Sequence, residues 1–251
     1  MPDATPYAAL AGGYDAVMAH VDYDAWADYA AELLQRYAPR ATDLVELGCG
    51  TGELALELLG RAPETLRYRG YDGSPEMIEA ARRKAAAEAA PLAFGVLCFG
   101  EAVPGPPADA VLLLYDGLNY VLDSAGVVAL LRSAHDALRP GGVFVFDQST
   151  PVNSERHAAA FEDAGSTEAF DYVRQSHYDA AVRLHTTRFE LTFADGATAH
   201  ETHVQRAYTL DEVRAAIGET AFRVEAVLDG FSDDPATDQT ERAHWVLRRP
   251  H

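Results

Sequence analysis

The sequence predicts an α/β fold: a mainly parallel sheet covered by helices on both faces, with a smaller antiparallel sheet inserted after the fifth strand. Strand and helix signals alternate from residue 43 to residue 147, as parallel strands joined by helical crossovers require. The first strand runs straight into a turn with Gly48, Gly50 and Gly52 at alternate positions. Beyond Ser166 the hydrophobic period falls to two, the period of strands with one face solvated.

Taken in order, Tyr23 to Tyr37 sets Trp26, Tyr29, Ala30, Leu33, Leu34 and Tyr37 at helical spacing, with Asp22 placed to cap its start. Strands are expected at 43–47, 66–71, 92–99, 110–114 and 143–147, and helices at 53–59, 75–89 and 124–138. The run Val111 to Leu114 is apolar throughout, as a central strand buried on both faces should be. Further on, Phe170 and Tyr172 alternate with polar residues, and His185, Thr187, Phe189, Leu191 and Phe193 share one face. Asp195-Gly196 then supplies a hairpin turn into Thr198 to Tyr208. Three antiparallel strands are expected there, reached by a bridging loop from Thr150 to Gly165. Thr209-Leu-Asp-Glu212 is a capping box, and strands at 222–230 and 244–248, joined by a loop over 233–242, close the chain. The organisation is a core over 1–150, an inserted unit over 151–208 and a completion of the core over 209–251.

The chain has 251 residues, 48% of them hydrophobic, enough to bury a core as one domain. Its formal net charge is −19, from 39 acids against 20 bases, and Lys84 is the only lysine. Such a field repels polyanions, which disfavours bulk nucleic acid and suits a small or cationic substrate. The acid excess fits a saline cytoplasm as well, and the abundance of Ala and Arg fits genomic base composition. The opening M-P-D-A-T-P-Y lacks a basic region followed by an apolar stretch, and nothing approaches the ~20 apolar residues of a membrane span, so a cytoplasmic protein is expected. The two cysteines do not indicate a disulfide framework: Cys49 fills the space between glycines and Cys98 reads as core.

The turn V-E-L-G-C-G-T-G-E, Val45 to Glu53, together with Asp72 twenty residues past Gly52, points to a nucleoside-containing cofactor. Glycines let a ligand come against the backbone, and the following helix offers unpaired N–H groups. A carboxylate at the end of the next strand can accept hydrogen bonds from both ribose hydroxyls. A dinucleotide fingerprint would need glycine where Glu53 stands. An acid in the first helical turn would also repel a pyrophosphate while tolerating an ammonium.

This turn resembles motif I of the class I S-adenosylmethionine (SAM) dependent methyltransferases, and Y-D-G-S-P-E-M at Tyr71 to Met77 resembles their second motif. L-R-P-G-G at Leu138 to Gly142 resembles the family's Leu-x-Pro-Gly-Gly turn before the fifth strand, and the resemblance covers nearly the whole chain. It implies a Rossmann-like seven-stranded sheet that ends in an antiparallel hairpin, SAM as cofactor, and the N-terminal helix packed over the cofactor-side edge. The inserted strands resemble a small-molecule subgroup that includes amino-sugar N-methyltransferases, where they wall the acceptor site.

By this resemblance Glu46, Gly48, Gly50 and Gly52 face the methionine half of SAM, Asp72 its ribose, and Gly73 and Met77 the adenine surroundings. Glu101 and Ala102 stand where the family commonly has an acid near the adenine amino group. Tyr14 would offer a cation–π contact to the sulfonium and a hydroxyl to the cofactor carboxylate. Leu114 and Tyr115, at the carboxyl end of the fourth strand, are expected beside the reactive centre. Bland roles compete: Met77 shares an apolar stripe with Ala80 and Ala81, and Tyr14 suits packing.

In D-G-L-N-Y, Asp116 is a candidate to orient or deprotonate an amine, while Asn119 and Tyr120 bind substrate or shape the turn. His203 is a candidate general base if it faces the pocket. His200 and His203 point to opposite faces of a regular strand, so no metal site is expected. The expected reaction is in-line methyl transfer to N or O of a small-molecule acceptor. The alternatives are methylation of a protein or RNA, a non-catalytic SAM-binding regulatory subunit, and aminopropyl transfer on the same fold.

Overall fold

The first strand supplies the hub of the sheet because its five residues, Asp43–Leu47, are buried on both faces. A computed structural model describes residues 5–61, 65–157 and 160–251. Along the chain run α1 (Tyr14–Val17), α2 (Tyr23–Tyr37), β1 (Asp43–Leu47), α3 (Glu53–Leu59), β2 (Arg67–Asp72), α4 (Pro75–Ala87), β3 (Leu92–Val96), β4 (Ala108–Leu113), α5 (Ser124–Ala137) and β5 (Leu138–Ser149). Then follow α6 (Pro151–His157), β6 (Ala160–Ser166), β7 (Phe170–Asp179), β8 (Leu184–Phe193), β9 (Thr198–Arg206), α7 (Leu210–Gly218), β10 (Arg223–Asp229) and β11 (Arg242–Arg248). One sheet has seven strands in the order β10-β11-β5-β4-β1-β2-β3, the other four in the order β6-β7-β8-β9.

In the larger sheet β1 to β5 are parallel, and β11 lies antiparallel between β5 and β10. The chain leaves β1 for β2 and β3 on one side and returns for β4 and β5 on the other. A crevice therefore opens at the carboxyl ends of β1 and β4, where the crossovers diverge. Alternate residues of β5 fill two cores: Phe144 and Phe146 pack with α5, α7 and Trp245, and Val143 and Val145 with α2 and α3. Phe146 and Trp245 stack at 5.9 Å between ring centroids. A third cluster of Leu10, Val17, Phe170, Phe189 and Leu191 joins the N-terminal segment to the smaller sheet.

The helix starts follow local chemistry. Asp22 accepts the Ala25 N–H at 3.0 Å, Asp123 that of Gly126 at 2.8 Å, and both halves of the Thr209–Glu212 box are formed. Asn119 fixes how the smaller sheet meets the core. Its side-chain amide donates to the carbonyls of Ser149 and Arg206, and its carbonyl accepts the Ser149 N–H at 3.0 Å.

Two expectations change. The segment 150–165 is not a loop but carries α6 and β6, so the smaller sheet has four strands rather than three. The edge strand β6 is held by polar pairs across to β7, Asp163 with Arg174 and Glu162 with Gln175, and such pairs leave no apolar alternation to read. Likewise Arg242 belongs to β11, not to a loop. Among the described residues no helix is long and apolar enough to cross a membrane.

His244 on β11 is fully buried against the rings of Trp26, Tyr29 and Phe231, and neither ring nitrogen has a hydrogen-bond partner. Burial, reinforced by the nearby Arg242 charge, pushes its pKa down to about 3. The unfolded chain binds this proton near the ordinary 6.5 and the folded chain does not, so stability falls as pH drops below 6.5. His244→Leu removes the orphaned nitrogens and is expected to raise stability by about 1 kcal/mol at pH 7. In urea melts its advantage over the wild type should grow by about 2 kcal/mol between pH 7 and pH 5. A constant difference across that range would contradict a buried neutral imidazole.

Candidate active site at the carboxyl ends of β1 and β4

A cavity of about 560 Å³ occupies the predicted crevice. Its floor is the turn after β1, its roof the N-terminal segment and the start of α2, and its far wall the inner face of the smaller sheet. The three glycines of the floor do different work, although all have left-handed φ, +66°, +53° and +81° in order. Gly52 backs onto Phe94 and Ala81, where a Cβ would lie 3.1 and 3.3 Å away, and Gly48 onto Phe99 at 3.3 Å. A Cβ on Gly50 would meet nothing within 4 Å, and the same is true of Gly73. Both positions line the cavity, so their missing side chains leave room for a ligand against the backbone.

Asp72 ties this floor together. One carboxylate oxygen accepts the Gly50 N–H at 3.0 Å and the other the Ser74 N–H at 2.8 Å, at the cap of α4. Burial raises its pKa above the ordinary value despite those two bonds. Glu46, also at the cavity, takes a hydrogen bond from the Tyr68 hydroxyl, and burial pushes its carboxyl up to about 7. Glu53 and Asp15 share the only lysine, Lys84, with Asp15 at 2.6 Å. Tyr14 is roofed by Tyr7, edge to face at 5.7 Å, and Met77 is buried at the rim.

Leu114, Tyr115 and Asp116 follow β4 into the cavity. Tyr115 and Asp116 have φ of +64° and +63°, a conformation that costs a non-glycine residue roughly 1 kcal/mol or more. The backbone is pinned there from behind: the Asp116 N–H points at the Asp147 carboxylate, and Arg242 bridges the carboxylates of Asp116 and Asp147. The guanidinium lies over the Trp26 ring at 5.2 Å. His203, 4% exposed, reaches the cavity from β9 with Nε2 3.0 Å from Glu201 and Nδ1 3.4 Å from the Tyr120 hydroxyl. Tyr120 in turn meets the Tyr7 hydroxyl.

Of the residues singled out from the sequence, Tyr14, Glu46, Gly48, Gly50, Gly52, Asp72, Gly73, Met77, Leu114, Tyr115, Asp116, Tyr120 and His203 converge on these walls or on the turn beneath them. Glu101 and Ala102 stand outside the lining and are exposed. Glu101 turns back to accept the Cys98 N–H at 2.9 Å, and Cys98 and Phe99 take its place at the cavity. Cys98 is thus exposed and not core, because it lies beyond the end of β3 in the turn rather than within the strand. Arg242, Glu201 and Tyr7 escaped sequence reading. The one available signal was Asp147, an acid ending an apolar strand and therefore in need of a cation. No group of three or more His, Cys, Asp or Glu able to hold a metal ion occurs among the described residues.

The open sheet with its antiparallel penultimate strand is a Rossmann-like arrangement, and its glycine turn faces a carboxylate at the carboxyl ends of the strands. Residues 44–142 match the family described as "Methyltransferase domain". A relative from Geobacillus sp. (strain WCH70), named "Putative methyltransferase", is 28% identical over 97% of this chain and 99% of its own. In fold the chain is similar to a SAM-dependent methyltransferase from Clostridium acetobutylicum, with a TM-score of 0.80, 20% identity, and coverage of 94% of this chain and 96% of that one. It is also similar to a sugar N-methyltransferase from Streptoalloteichus sp ATCC 53650, with a TM-score of 0.75, 22% identity, and coverage of 95% and 93%. Residues 44–142 are thus similar to a methyltransferase domain, the fold is the Rossmann-like one of SAM-dependent methyltransferases, and SAM is the methyl donor.

Proposed function

We propose that this enzyme transfers the methyl group of SAM in line to a nitrogen or oxygen of a small metabolite, held between the glycine turn and the smaller sheet. The observation that carries this reading is the continuity of the cavity: one space runs from Gly50 and Asp72 to Arg174, Thr187 and His203. SAM supplies an already activated methyl group, so the protein's contribution is chiefly alignment and exclusion of water, worth ~7 to 11 kcal/mol of the barrier.

Gly48, Gly50 and Gly52 form the cradle for the methionine half, in which Glu46, charged only in part at neutral pH, meets the ammonium. Asp72 takes the ribose hydroxyls and fixes the turn at once. Gly73, Met77, Cys98 and Phe99 surround the adenine. Tyr14 covers the sulfonium with its ring, and Leu114 and Tyr115 flank the reacting carbon. Asp116, already held by Arg242, orients the acceptor rather than taking its proton. The segment 151–208 serves as the acceptor-facing unit.

Methylation of RNA calls for a basic surface, and the charge of −19 speaks against it. The test is S-adenosylhomocysteine formation from SAM with small amines, amino sugars and hydroxyl compounds, alongside unstructured peptides and RNA. Turnover with a small compound is expected. Turnover confined to a polymer would overturn the reading.

A further inference from the structure

We propose that Tyr120 and His203 form the proton exit from the methyl acceptor, and that Glu201 is the positioning residue that sets its direction. The inference rests on the methyl-transfer reading and concerns where the acceptor's proton goes. Methylation of an N–H or O–H leaves a proton to be removed, and the acidic side chains nearest the cavity are engaged. Arg242 holds Asp116, the Gly50 N–H holds Asp72, the Tyr68 hydroxyl holds Glu46, and Lys84 holds Glu53.

Glu201 is fully buried on β9. One of its oxygens accepts the N–H groups of Ala9 and Leu10, at 2.6 and 2.9 Å, and the other accepts that of Tyr7 at 2.8 Å and faces His203 Nε2 at 3.0 Å. Burial alone would raise its pKa, yet His203 and the three backbone donors hold it below the ordinary value. An ionised carboxylate only accepts hydrogen bonds, so the proton of a neutral His203 must sit on Nε2. Nδ1 then presents a lone pair, and the atom it faces is the Tyr120 hydroxyl, 3.4 Å away. Tyr120 and Tyr7, whose hydroxyls meet, both line the cavity beside Tyr115 and Asp116.

The bookkeeping of the step closes on these groups. As the acceptor's lone pair forms the bond to the methyl carbon, the carbon–sulfur bond breaks and its electron pair goes to sulfur. The acceptor's proton passes to the Tyr120 oxygen while the phenol's own proton moves to His203 Nδ1. The positive charge that began on sulfur ends on an imidazolium beside the Glu201 carboxylate. That carboxylate stabilises the imidazolium and holds its orientation, as a buried acid does in any acid–histidine pair.

Long-range proton–nitrogen spectra of the full chain with labelled histidine give the first test, with the His203 signals assigned by their loss in His203→Gln. The expected result is an Nε2–H tautomer in the wild type and in Tyr120→Phe, lost or mixed in Glu201→Gln. An Nδ1–H tautomer in the wild type overturns the proposal without any acceptor being known, and it does so even if the Glu201 variant fails to fold. With an acceptor found by turnover, Tyr120→Phe is expected to lower kcat about 10²- to 10³-fold, with KM and the SAM Kd within about threefold. A wild-type kcat in Tyr120→Phe overturns the relay alone. Failure of the wild type to bind SAM in calorimetry overturns methyl transfer and this step with it.

Discussion

Replacing Asp72 with alanine is expected to weaken SAM binding by about 1.5 to 3 kcal/mol, roughly ten- to a hundredfold, through lost charge-assisted hydrogen bonds. Beside the ribose role proposed for it, its carboxylate bonds the N–H groups of Gly50 and Ser74, joining the glycine turn to the cap of α4. Asp72→Asn keeps one acceptor oxygen and a similar shape, so it should lose less affinity than Asp72→Ala while retaining most of the thermal stability. Calorimetry on both variants checks the order. An unchanged Kd in Asp72→Ala would remove this residue from the site.

The largest stability effect is expected from Arg242. Asp147 is fully buried and Asp116 partly so, its side chain 20% exposed at the cavity, and Arg242 bridges the two carboxylates. Arg242→Ala leaves the buried Asp147 carboxyl facing Asp116 without a cation, a loss of about 3 to 5 kcal/mol. At ~2 to 4 °C per kcal/mol for a chain of this size, the melting temperature should drop by about 10 °C. Activity should fall as well, because the left-handed backbone at Tyr115 and Asp116 loses its brace. Adding Asp147→Asn to Arg242→Ala is expected to recover part of the stability, since a neutral amide is cheaper to bury than a lone carboxylate. A melting temperature within 2 °C of wild type in Arg242→Ala would show that the bridge is solvated and adds little.

What the sequence made legible was whatever depends on neighbours along the chain. Alternation marked β1 to β5, the glycine spacing marked the cradle, and S/T/D caps marked the starts of α2 and α7, because each is decided within a few residues. The structure shows why the rest was hidden. Arg242 finds its partners 95 and 126 residues away, and Glu201 binds Tyr7 across 194 residues, so no local pattern announces either. The edge strand β6 is paired through polar side chains on β7 and reads as a loop until its partner is known. Cys98 reads as core only if β3 runs on past Val96, where the chain has already turned toward the cavity. The residues that converge on the cavity floor are thus legible locally, whereas the groups that brace it from behind and cover it from the N-terminus come only with the tertiary structure.

The most direct measurement is calorimetric binding of SAM, S-adenosylhomocysteine and NAD to the wild-type protein, at low and at high salt. Micromolar binding of both sulfur nucleosides, with none of NAD, is the predicted result. Binding of NAD alone, or of none of the three, would contradict the assignment of this cavity.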